Sequence, residues 1–220
     1  MNENTSANTI PERDPGAAAE RLLAGEVMIL PTETVSGLCA DATNEDAVAR
    51  LYAAKGRPRD NPIAMLVPDA PTVLAHCPVA DPVARELVVR LAEFWPGPLT
   101  ILLPHADRFS RVLTAGSPFA GFRVPDHTST LDILRATARP VAATSANLSG
   151  DPSPRSAGEA VRALTANAQL IDGYVDGGEC SVGVESSVVR IAEDGAGIVI
   201  MRRGALGPED FERAGIAVLK

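Results

Sequence analysis

The chain has 220 residues and a formal net charge of -8, from 28 acidic and 20 basic side chains. Hydrophobic residues make up 45% and charged residues 22%, which argues against a disordered or fibrous chain and predicts a folded protein with its own core. The acidic balance argues against broad, sequence-independent binding to nucleic acid, because such binding needs a basic face.

Cysteine usage and hydropathy narrow further the kind of protein that this sequence can encode. Cys39, Cys77 and Cys180 are odd in number and lack the CxxC spacing of a zinc site, so we expect buried free thiols. No window reaches the roughly 18 apolar residues of a membrane span, and the N-terminus lacks the basic-then-apolar order of a secretory signal. We therefore expect a cytoplasmic protein, with no membrane partner, that begins with a flexible tail over residues 1–14.

The first predicted elements alternate between helix and strand. Residues 15–24 predict a helix that Gly25 ends, and the run "VMIL" after it is typical of a buried strand. The segment "TNEDAVARLYAAKG" predicts a helix with Thr43 as N-cap and Gly56 at its end. Another helix is predicted from its N-cap Asp81 onward, and "PLTILLP" predicts the strand after it.

The second half is richer in short β-like runs. These are "AGFRVP", "RPVAATS", "AQLIDG", "ESSVVRI" and "GIVIMR", with helices predicted near 128–138 and 156–165. The last strands are expected to follow one another without a helix. Helices that alternate with strands in the first half, followed by clustered strands in the second, predict a mixed sheet with helices packed against it. With no repeat or break in composition, we expect one α/β domain over residues 15–220.

Standard signatures of nucleotide binding and hydrolysis are absent from the sequence. There is no GxxxxGK[ST] or GxGxxG loop and no GxSxG nucleophile elbow. His76, His105 and His127 have no metal-like spacing and lie in loop-like sequence. Any nucleotide site must therefore be built in another way.

Polar clusters lie where predicted strands open into loops. They are "PTETVSGL", "KGRPRDNP", "FRVPDH" and "TSANLSGDPSP". In open α/β sheets, loops of this kind form the ligand crevice. Taken alone, "TSANLSG" is better explained as a turn, since Ser, Asn and Gly favour loops by bonding to their own backbone.

Three cations, Lys55, Arg57 and Arg59, gather at one predicted turn. A cation in the last helical turn is stabilised by the helix dipole by roughly a few tenths of a kcal/mol, which accounts for Lys55 without a ligand. Arg57 and Arg59 lie beyond Gly56 and flank Pro58, so a phosphate or carboxylate partner is favoured for them. We expect Lys55 and Arg57 at an exposed turn.

A fourth cation, Arg123, lies within the apolar run "GFRVP". An arginine with apolar neighbours usually has an anionic partner when it is buried, because an unpaired buried charge is costly. The sequence leaves two candidates for that partner, the carboxylate of Asp126 and the carboxylate of a substrate.

Six segments together resemble the YrdC family, the threonylcarbamoyl-AMP synthases, in order and spacing. They are "PTETVSGLCADATNEDAVARLYAAKGRPRDNPIAMLV", "FWPGPLTILLP", "FRVPDH", "SANLSGDPSP", "VGVESSVV" and "MRRG", over about residues 15–205. The diagnostic elements are KxR, here Lys55 and Arg57, and SxN, here Ser145 and Asn147. The resemblance is to the short, single-domain form and implies a twisted α/β sheet flanked by helices, with a deep central cavity.

The resemblance also implies an activity, that of a nucleotidyltransferase. Such enzymes condense ATP, L-threonine and bicarbonate, with Mg²⁺, to threonylcarbamoyl-adenylate and pyrophosphate. Partner proteins of a transfer complex then move the threonylcarbamoyl group to a tRNA adenosine, so no strong nucleic-acid binding is expected of this chain itself. Because charge builds up on phosphate oxygens, positioning and cations suffice for catalysis without a covalent nucleophile.

By the family pattern, the implied site residues form three groups. The catalytic cations are Lys55 and Arg57. ATP is bound by Lys55, Arg57, Asn61, Ser145, Asn147, Ser153 and Arg202. L-Threonine is bound by Thr34, Arg123 and Ser186, with the Arg123 fork pairing the substrate carboxylate. No protein metal site is implied, and Arg59 has a supporting role at most.

Four positions depart from the family pattern. They are Ser36 in place of tyrosine, Leu66 in place of histidine, and Thr144 and Arg203, each in place of proline. We expect Ser36 to remove an aromatic wall from the pocket, which bears on substrate choice. We expect Arg203 to add a cation near the nucleotide.

Two other functions share the implied fold. One is a non-catalytic paralogue that binds RNA or assists ribosome assembly, which the net charge of -8 and the presence of both KxR and SxN disfavour. The other is a carbamoyltransferase-type module acting on carbamoyl phosphate, which usually belongs to a larger multidomain chain. The synthase is the favoured interpretation.

Overall fold

The computed structural model describes residues 10–11, 14–77, 79–105, 109–193 and 195–219. The strands are β1 (Ile10–Pro11), β2 (Met28–Leu30), β3 (Gly37–Asp41), β4 (Ala64–Leu66), β5 (Leu99–Pro104), β6 (Phe119–Arg123), β7 (Val141–Ser145), β8 (Gly173–Tyr174), β9 (Ser187–Ile191), β10 (Ile198–Arg202) and β11 (Val218–Leu219). The α-helices are α1 (Pro15–Leu23), α2 (Glu45–Lys55), α3 (Ala70–His76), α4 (Pro82–Leu91), α5 (Arg111–Thr114), α6 (Thr128–Thr137), α7 (Ala157–Ala163) and α8 (Pro208–Arg213).

All of these strands belong to one sheet, in the order β1-β8-β2-β3-β7-β4-β6-β5-β9-β10-β11. Its pairing is mixed: β4 runs parallel to β6 and β5 runs parallel to β9, whereas β3 and β4 both run antiparallel to β7. The predicted mixed α/β sheet is therefore confirmed. The order brings together strands that are far apart in sequence, such as β3 and β7, and this proximity is what assembles the site.

Helices cover both faces of the sheet, because successive side chains of a strand point to opposite faces. In β2, Ile29 packs into one hydrophobic cluster, whereas Met28 and Leu30 pack into the other. The larger cluster includes buried residues of α2 and α4, and the smaller one is formed largely with α1 and α6. The sheet is thus the middle layer of three, and its central strands are rigidly placed.

The helix α2 begins one residue later than its predicted cap implies. The Asn44 side-chain oxygen accepts from the amides of Asp46 and Ala47, both at 3.1 Å, so Asn44 is the N-cap. Thr43 instead donates its hydroxyl to Asp41, at 2.7 Å. Asn and Thr both cap helices well. Because the Asp41 carboxylate accepts the Thr43 hydroxyl, the capping role falls to Asn44. The predicted end of the helix at Gly56 is confirmed.

The later elements differ from the prediction at two places. Residues 165–170, part of which had been assigned to a strand in "AQLIDG", form a 3-10 helix, and the strand there is β8. The predicted strands β8, β9 and β10 follow one another without a helix, as expected, but α8 and β11, which come after them, were not predicted. Helices as short as α3, α5 and α8 carry too few turns to produce a clear period in the sequence.

Residues 10, 11 and 14 belong to the folded unit and not to a tail. Strand β1 pairs in parallel with β8, and the Asp14 side chain caps α1 by accepting from the Gly16 amide at 2.8 Å. The other residues of the predicted tail lie outside the described residues. The three cysteines are free and buried, as expected. Within the described residues, no helix is long and apolar enough to cross a membrane.

We predict that Asn44→Ala lowers the free energy of unfolding by about 1 kcal/mol, because two amides of the first turn of α2 lose their acceptor. Asn44→Asp keeps an acceptor oxygen in the same place and should remain within about 0.5 kcal/mol of wild type. Urea unfolding followed by far-UV circular dichroism measures both variants. Equal losses in the two would contradict the assignment of Asn44 as the cap.

Candidate active site

A cavity of about 360 Å³ lies against the central strands of the sheet. This volume is within the usual range for small-molecule sites. Of the ten predicted site residues, seven line it: Thr34, Arg57, Asn61, Arg123, Ser145, Ser186 and Arg202. The fold therefore brings most of the predicted site together, although these residues come from distant parts of the chain. Lys55, Asn147 and Ser153 are not among the lining residues.

Arg57 is held in place by the turn that follows α2. Its Nε donates to the Asn61 carbonyl at 2.9 Å, and its Nη2 donates to Asn61 Oδ1 at 2.7 Å and to the Pro62 carbonyl at 2.8 Å. The side chain of Tyr52 also hydrogen-bonds with that of Arg57. The turn thus fixes the guanidinium in place, and Arg57 lines the cavity, where a ligand can reach it.

Lys55 is buried and not at an exposed turn, contrary to the sequence expectation. It is 4% exposed and belongs to the buried residues of α2. Gly56, with a left-handed φ of 63°, ends the helix between Lys55 and Arg57, which lines the cavity. Its ammonium lies 2.7 Å from the Ser145 carbonyl, 3.1 Å from Ser145 Oγ, 3.1 Å from the Asn147 carbonyl and 2.9 Å from Asn147 Oδ1. The KxR and SxN elements are therefore joined by one side chain.

The electrostatic surroundings of Lys55 oppose its charge. The pKa of the Lys55 amine is lowered from 10.5 to about 8, mainly by burial and also by the nearby Arg57, while Glu185 acts in the opposite direction. Four oxygens around a group with three N–H donors compensate for the loss of water.

Asn147 is fully occupied by contacts within the protein. Besides accepting from Lys55, its side-chain amide donates to the Leu148 carbonyl at 2.9 Å and to the Asp151 carbonyl at 2.7 Å. Both of its N–H donors are used, and the residue is 4% exposed. The predicted contacts of Asn147 and Lys55 with ATP receive no support from this geometry, which places both behind the lining of the cavity. Ser145 carries its hydroxyl into the lining itself.

Glu185 is a residue of the cavity that the sequence interpretation missed. The Ser153 hydroxyl donates to its Oε1 at 2.5 Å, and this hydrogen bond lowers the pKa of the Glu185 carboxyl, with Arg202 and Lys55 acting in the same direction. Ser153 is therefore close to the site through Glu185. The signal that could have found Glu185 was its place beside Ser186 in the segment "VGVESSVV".

The ion-pair partner of Arg123 is Glu33, which is neither of the two candidates that the sequence left open. Its Nη2 lies 2.7 Å from Oε1 of Glu33, and the two residues are 7% and 6% exposed. Asp126, the candidate within the protein, contributes only its backbone amide, which donates to Glu33 Oε2 at 3.0 Å. The Arg123 Nε donates to the Gly97 carbonyl at 3.1 Å. Ninety positions separate Glu33 from Arg123 in the chain, and no local pattern reveals such a pair.

Hydroxyl groups surround the other predicted positions. Ser186 Oγ lies 2.8 Å from Thr100 Oγ1, and Arg202 Nη2 donates to the Ser186 carbonyl at 2.8 Å and to Ser186 Oγ at 3.2 Å. Thr34 Oγ1 lies 2.9 Å from Thr32 Oγ1. Thr32 and Thr100 also line the cavity. These hydroxyls can donate or accept, so they suit a ligand that carries both kinds of group.

The four departures from the family pattern differ in their relation to the cavity. Leu66 and Thr144 line it. Ser36 is 1% exposed, with its Oγ 4.0 Å from Cys180 Sγ, and does not line the cavity, so the loss of an aromatic wall at this position stays a prediction. Arg203 also lies outside the lining and pairs with Glu209 at 3.5 Å, so it is not the additional cation that we expected.

The lining carries three arginines and one carboxylate, that of Glu185. The described residues contain no group of three or more His, Cys, Asp or Glu side chains that could hold a metal ion. Mg²⁺ is commonly bound by one or two carboxylates together with substrate phosphates. The cavity therefore fits a metal ion that arrives with a substrate phosphate, and Glu185 is the carboxylate in its lining.

Comparison with known proteins identifies the family. The family model Sua5_yciO_yrdC, described as telomere recombination, matches residues 20–204. The chain belongs to the Sua5/YciO/YrdC family. Within it, the chain is 42% identical to the threonylcarbamoyl-AMP synthase of Bacillus subtilis, over 89% of this chain and 54% of the relative. It is 38% identical to the enzyme of that name from Pyrococcus abyssi, over 89% of this chain and 55% of the relative.

A solved structure of the family confirms the fold. The crystal structure of Pyrococcus abyssi Sua5 complexed with L-threonine aligns with a TM-score of 0.82 at 36% identity, covering 96% of this chain and 62% of that one. The chain thus spans about half the length of the curated Sua5/YciO/YrdC relatives that it matches first.

We predict that the buried Lys55 makes stability depend on pH above about 8. Because its folded pKa is depressed to about 8, the folded chain loses the proton between pH 8 and 10.5 while the unfolded chain keeps it. At this group the unfolded state then binds more protons, so the contribution of Lys55 to the free energy of unfolding rises with pH in this window.

Burial raises the pKa of Cys39 to about 12 and also raises the pKa of Cys180 and Tyr52, so these groups act in the opposite direction in every variant. Urea unfolding at pH 7.5, 8.5 and 9.5 should therefore show that the free energy of unfolding of wild type rises relative to that of Lys55→Met. Lys220→Met, which changes the one other lysine of the sequence, should follow wild type. The same pH dependence in Lys55→Met and wild type would assign the effect to other groups.

Proposed function

We propose that the chain is a threonylcarbamoyl-AMP synthase, which converts L-threonine, bicarbonate and ATP to threonylcarbamoyl-adenylate and pyrophosphate. The observation that carries the proposal is the convergence of two kinds of anion site in one cavity. Arg57 and Arg202 are suited to phosphates, whereas Arg123, Thr34 and Ser186 are suited to an amino acid. The names of the relatives support the same activity.

The proposed chemistry needs positioning and charge stabilisation rather than a nucleophilic side chain. The threonine amine and bicarbonate give a carbamate and water, and a carbamate oxygen then attacks the α-phosphorus of ATP. Pyrophosphate leaves with the electrons of the broken P–O bond. The guanidinium groups of Arg57 and Arg202, which both line the cavity, stabilise the charge that gathers on the phosphate oxygens.

Lys55 and Asn147 act on this reaction indirectly. Lys55 holds the carbonyls of residues 145 and 147, and Asn147 holds those of residues 148 and 151, so the Ser145 hydroxyl is fixed at the cavity. Fixed donors need no reorganisation when charge develops, which is the basis of their catalytic value. Mg²⁺ bound with ATP would neutralise phosphate charge, and Glu185 is the residue that would hold it.

The amino acid is proposed to bind at the Arg123 end of the cavity. Arg123 pairs its carboxylate, and the hydroxyls of Thr34 and Ser186 bind its remaining polar groups. The same proposal has three further parts. Partner proteins transfer the product to tRNA, this chain itself does not bind RNA strongly, and the protein is cytoplasmic. The formal charge of -8 supports the weak RNA binding.

The direct test is pyrophosphate release by the purified protein with ATP, Mg²⁺ and bicarbonate. Release should depend on L-threonine and should fall when bicarbonate is removed, with L-serine as the amino-acid control. A folded protein that releases no pyrophosphate with any amino acid would contradict the proposal and favour the non-catalytic paralogue.

We predict that Arg57→Ala lowers kcat/KM for pyrophosphate release by about 100-fold or more, because a fixed cation at the reacting phosphates is lost. Arg59→Ala is the matched control. Its guanidinium lies over the Tyr52 ring, 5.3 Å from the centroid, and it does not line the cavity. Its activity should remain within about threefold of wild type. Equal losses in the two variants would indicate a role for the turn as a whole.

A further inference from the structure

We propose that Glu33 is a positioning residue that orients Arg123 toward the carboxylate of the amino-acid substrate. This inference rests on the proposed function and adds to it a residue that does not line the cavity. Glu33 lies between Thr32 and Thr34, which both do. Its side chain therefore points away from the ligand, toward the far side of the Arg123 guanidinium.

Glu33 is attached to three separate segments. Its Oε1 lies 2.7 Å from Arg123 Nη2 at the end of β6, and its Oε2 accepts from the Asp126 amide at 3.0 Å. Its own carbonyl accepts from the Val182 amide at 2.8 Å. A carboxylate bound in this way has little freedom to rotate, so it can fix the direction of its partner.

The nitrogens of Arg123 divide between the protein and the cavity. Nε donates to the Gly97 carbonyl at 3.1 Å, and Nη2 is fully buried against Glu33. Nη1 has no acceptor among the described residues and is not buried, and Arg123 lines the cavity. Because the guanidinium is planar, fixing Nε and Nη2 fixes the direction of Nη1. Nη1 is thus the atom that Glu33 aims at the ligand.

The geometry between Glu33 and Arg123 also shows why the pair is suited to positioning. Although 2.7 Å apart, Oε1 and Nη2 do not meet hydrogen-bond geometry, so the attraction is that of an ion pair. Both groups are almost fully buried, and removing one would leave an uncompensated charge. Glu33 therefore keeps a cation stable in the cavity before any carboxylate arrives.

The test is Glu33→Gln, which keeps the shape of the side chain and removes its charge. We expect KM for L-threonine to rise about tenfold or more, since a charge-assisted contact with the carboxylate is misaligned. KM for ATP should stay within about twofold, because Arg57 and Arg202 are not in contact with Glu33. Circular dichroism and the thermal midpoint establish that the variant is folded.

A double-mutant cycle separates positioning from a general structural effect. If Glu33 acts through Arg123, Glu33→Gln combined with Arg123→Gln should be no worse in KM for L-threonine than Arg123→Gln alone. Binding of L-threoninol, which has no carboxylate, should be equal in wild type and Glu33→Gln. If Glu33→Gln fails to fold, Glu33→Asp retains the charge and should fold, with an intermediate KM for L-threonine.

An unchanged KM for L-threonine in folded Glu33→Gln, parallel increases for L-threonine and ATP, or additive effects in the cycle would overturn the proposal. Calorimetric titration with L-threonine keeps this test separate from the proposed function. If wild type binds L-threonine but releases no pyrophosphate, the proposed reaction fails, while the loss of binding in Glu33→Gln still tests Glu33. If wild type does not bind L-threonine, both proposals fail.

Discussion

The arrangement of the cavity depends on one buried ammonium group, that of Lys55. It ends α2 on one side of the site and holds oxygens of residues 145 and 147 on the other. The cost of removing this charge from water is seen in its pKa of about 8. Four oxygen neighbours compensate for this cost. Their contacts with the ammonium join the end of α2 to residues 145–147, so the two segments form one support for Arg57 and Ser145.

Around this support, the two ends of the cavity use arginine in different ways. Arg57 is oriented by neutral oxygens of the turn that carries it, so its charge remains available for a polyanion. Arg123 is oriented by a buried carboxylate, so the charge at its end is already balanced before a ligand binds. Under the proposed function, the same cavity can therefore receive a phosphate chain at Arg57 and an amino acid with a single carboxylate at Arg123.

Local patterns in the sequence were sufficient for the sheet and indicated where its ligand crevice lies. Alternating apolar runs and turn residues located the central strands, and the polar clusters at their ends contain five of the seven predicted residues that line the cavity. The other two, Ser186 and Arg202, came from the family resemblance alone. The burial of Lys55 was not accessible in this way, since its partners lie about 90 positions away and a cation at a helix end is ordinarily exposed. Glu33 was missed for the same physical reason. It becomes a neighbour of Arg123 only in the folded chain, where the end of β6 lies beside the loop before β3.

The scarcity of lysine gives the burial of Lys55 a chemical consequence. The sequence contains two lysines among its 20 basic residues, and Lys55 is the one within the described residues. Under the proposed function the product is a mixed anhydride, an electrophile that acylates free amines. Lys55 is buried, lies outside the lining of the cavity and has its nitrogen enclosed by four oxygens. This enclosure keeps the product away from the amine even though a pKa of about 8 leaves part of it unprotonated. The protein can thus hold a reactive acyl donor next to its own amine without becoming modified by it.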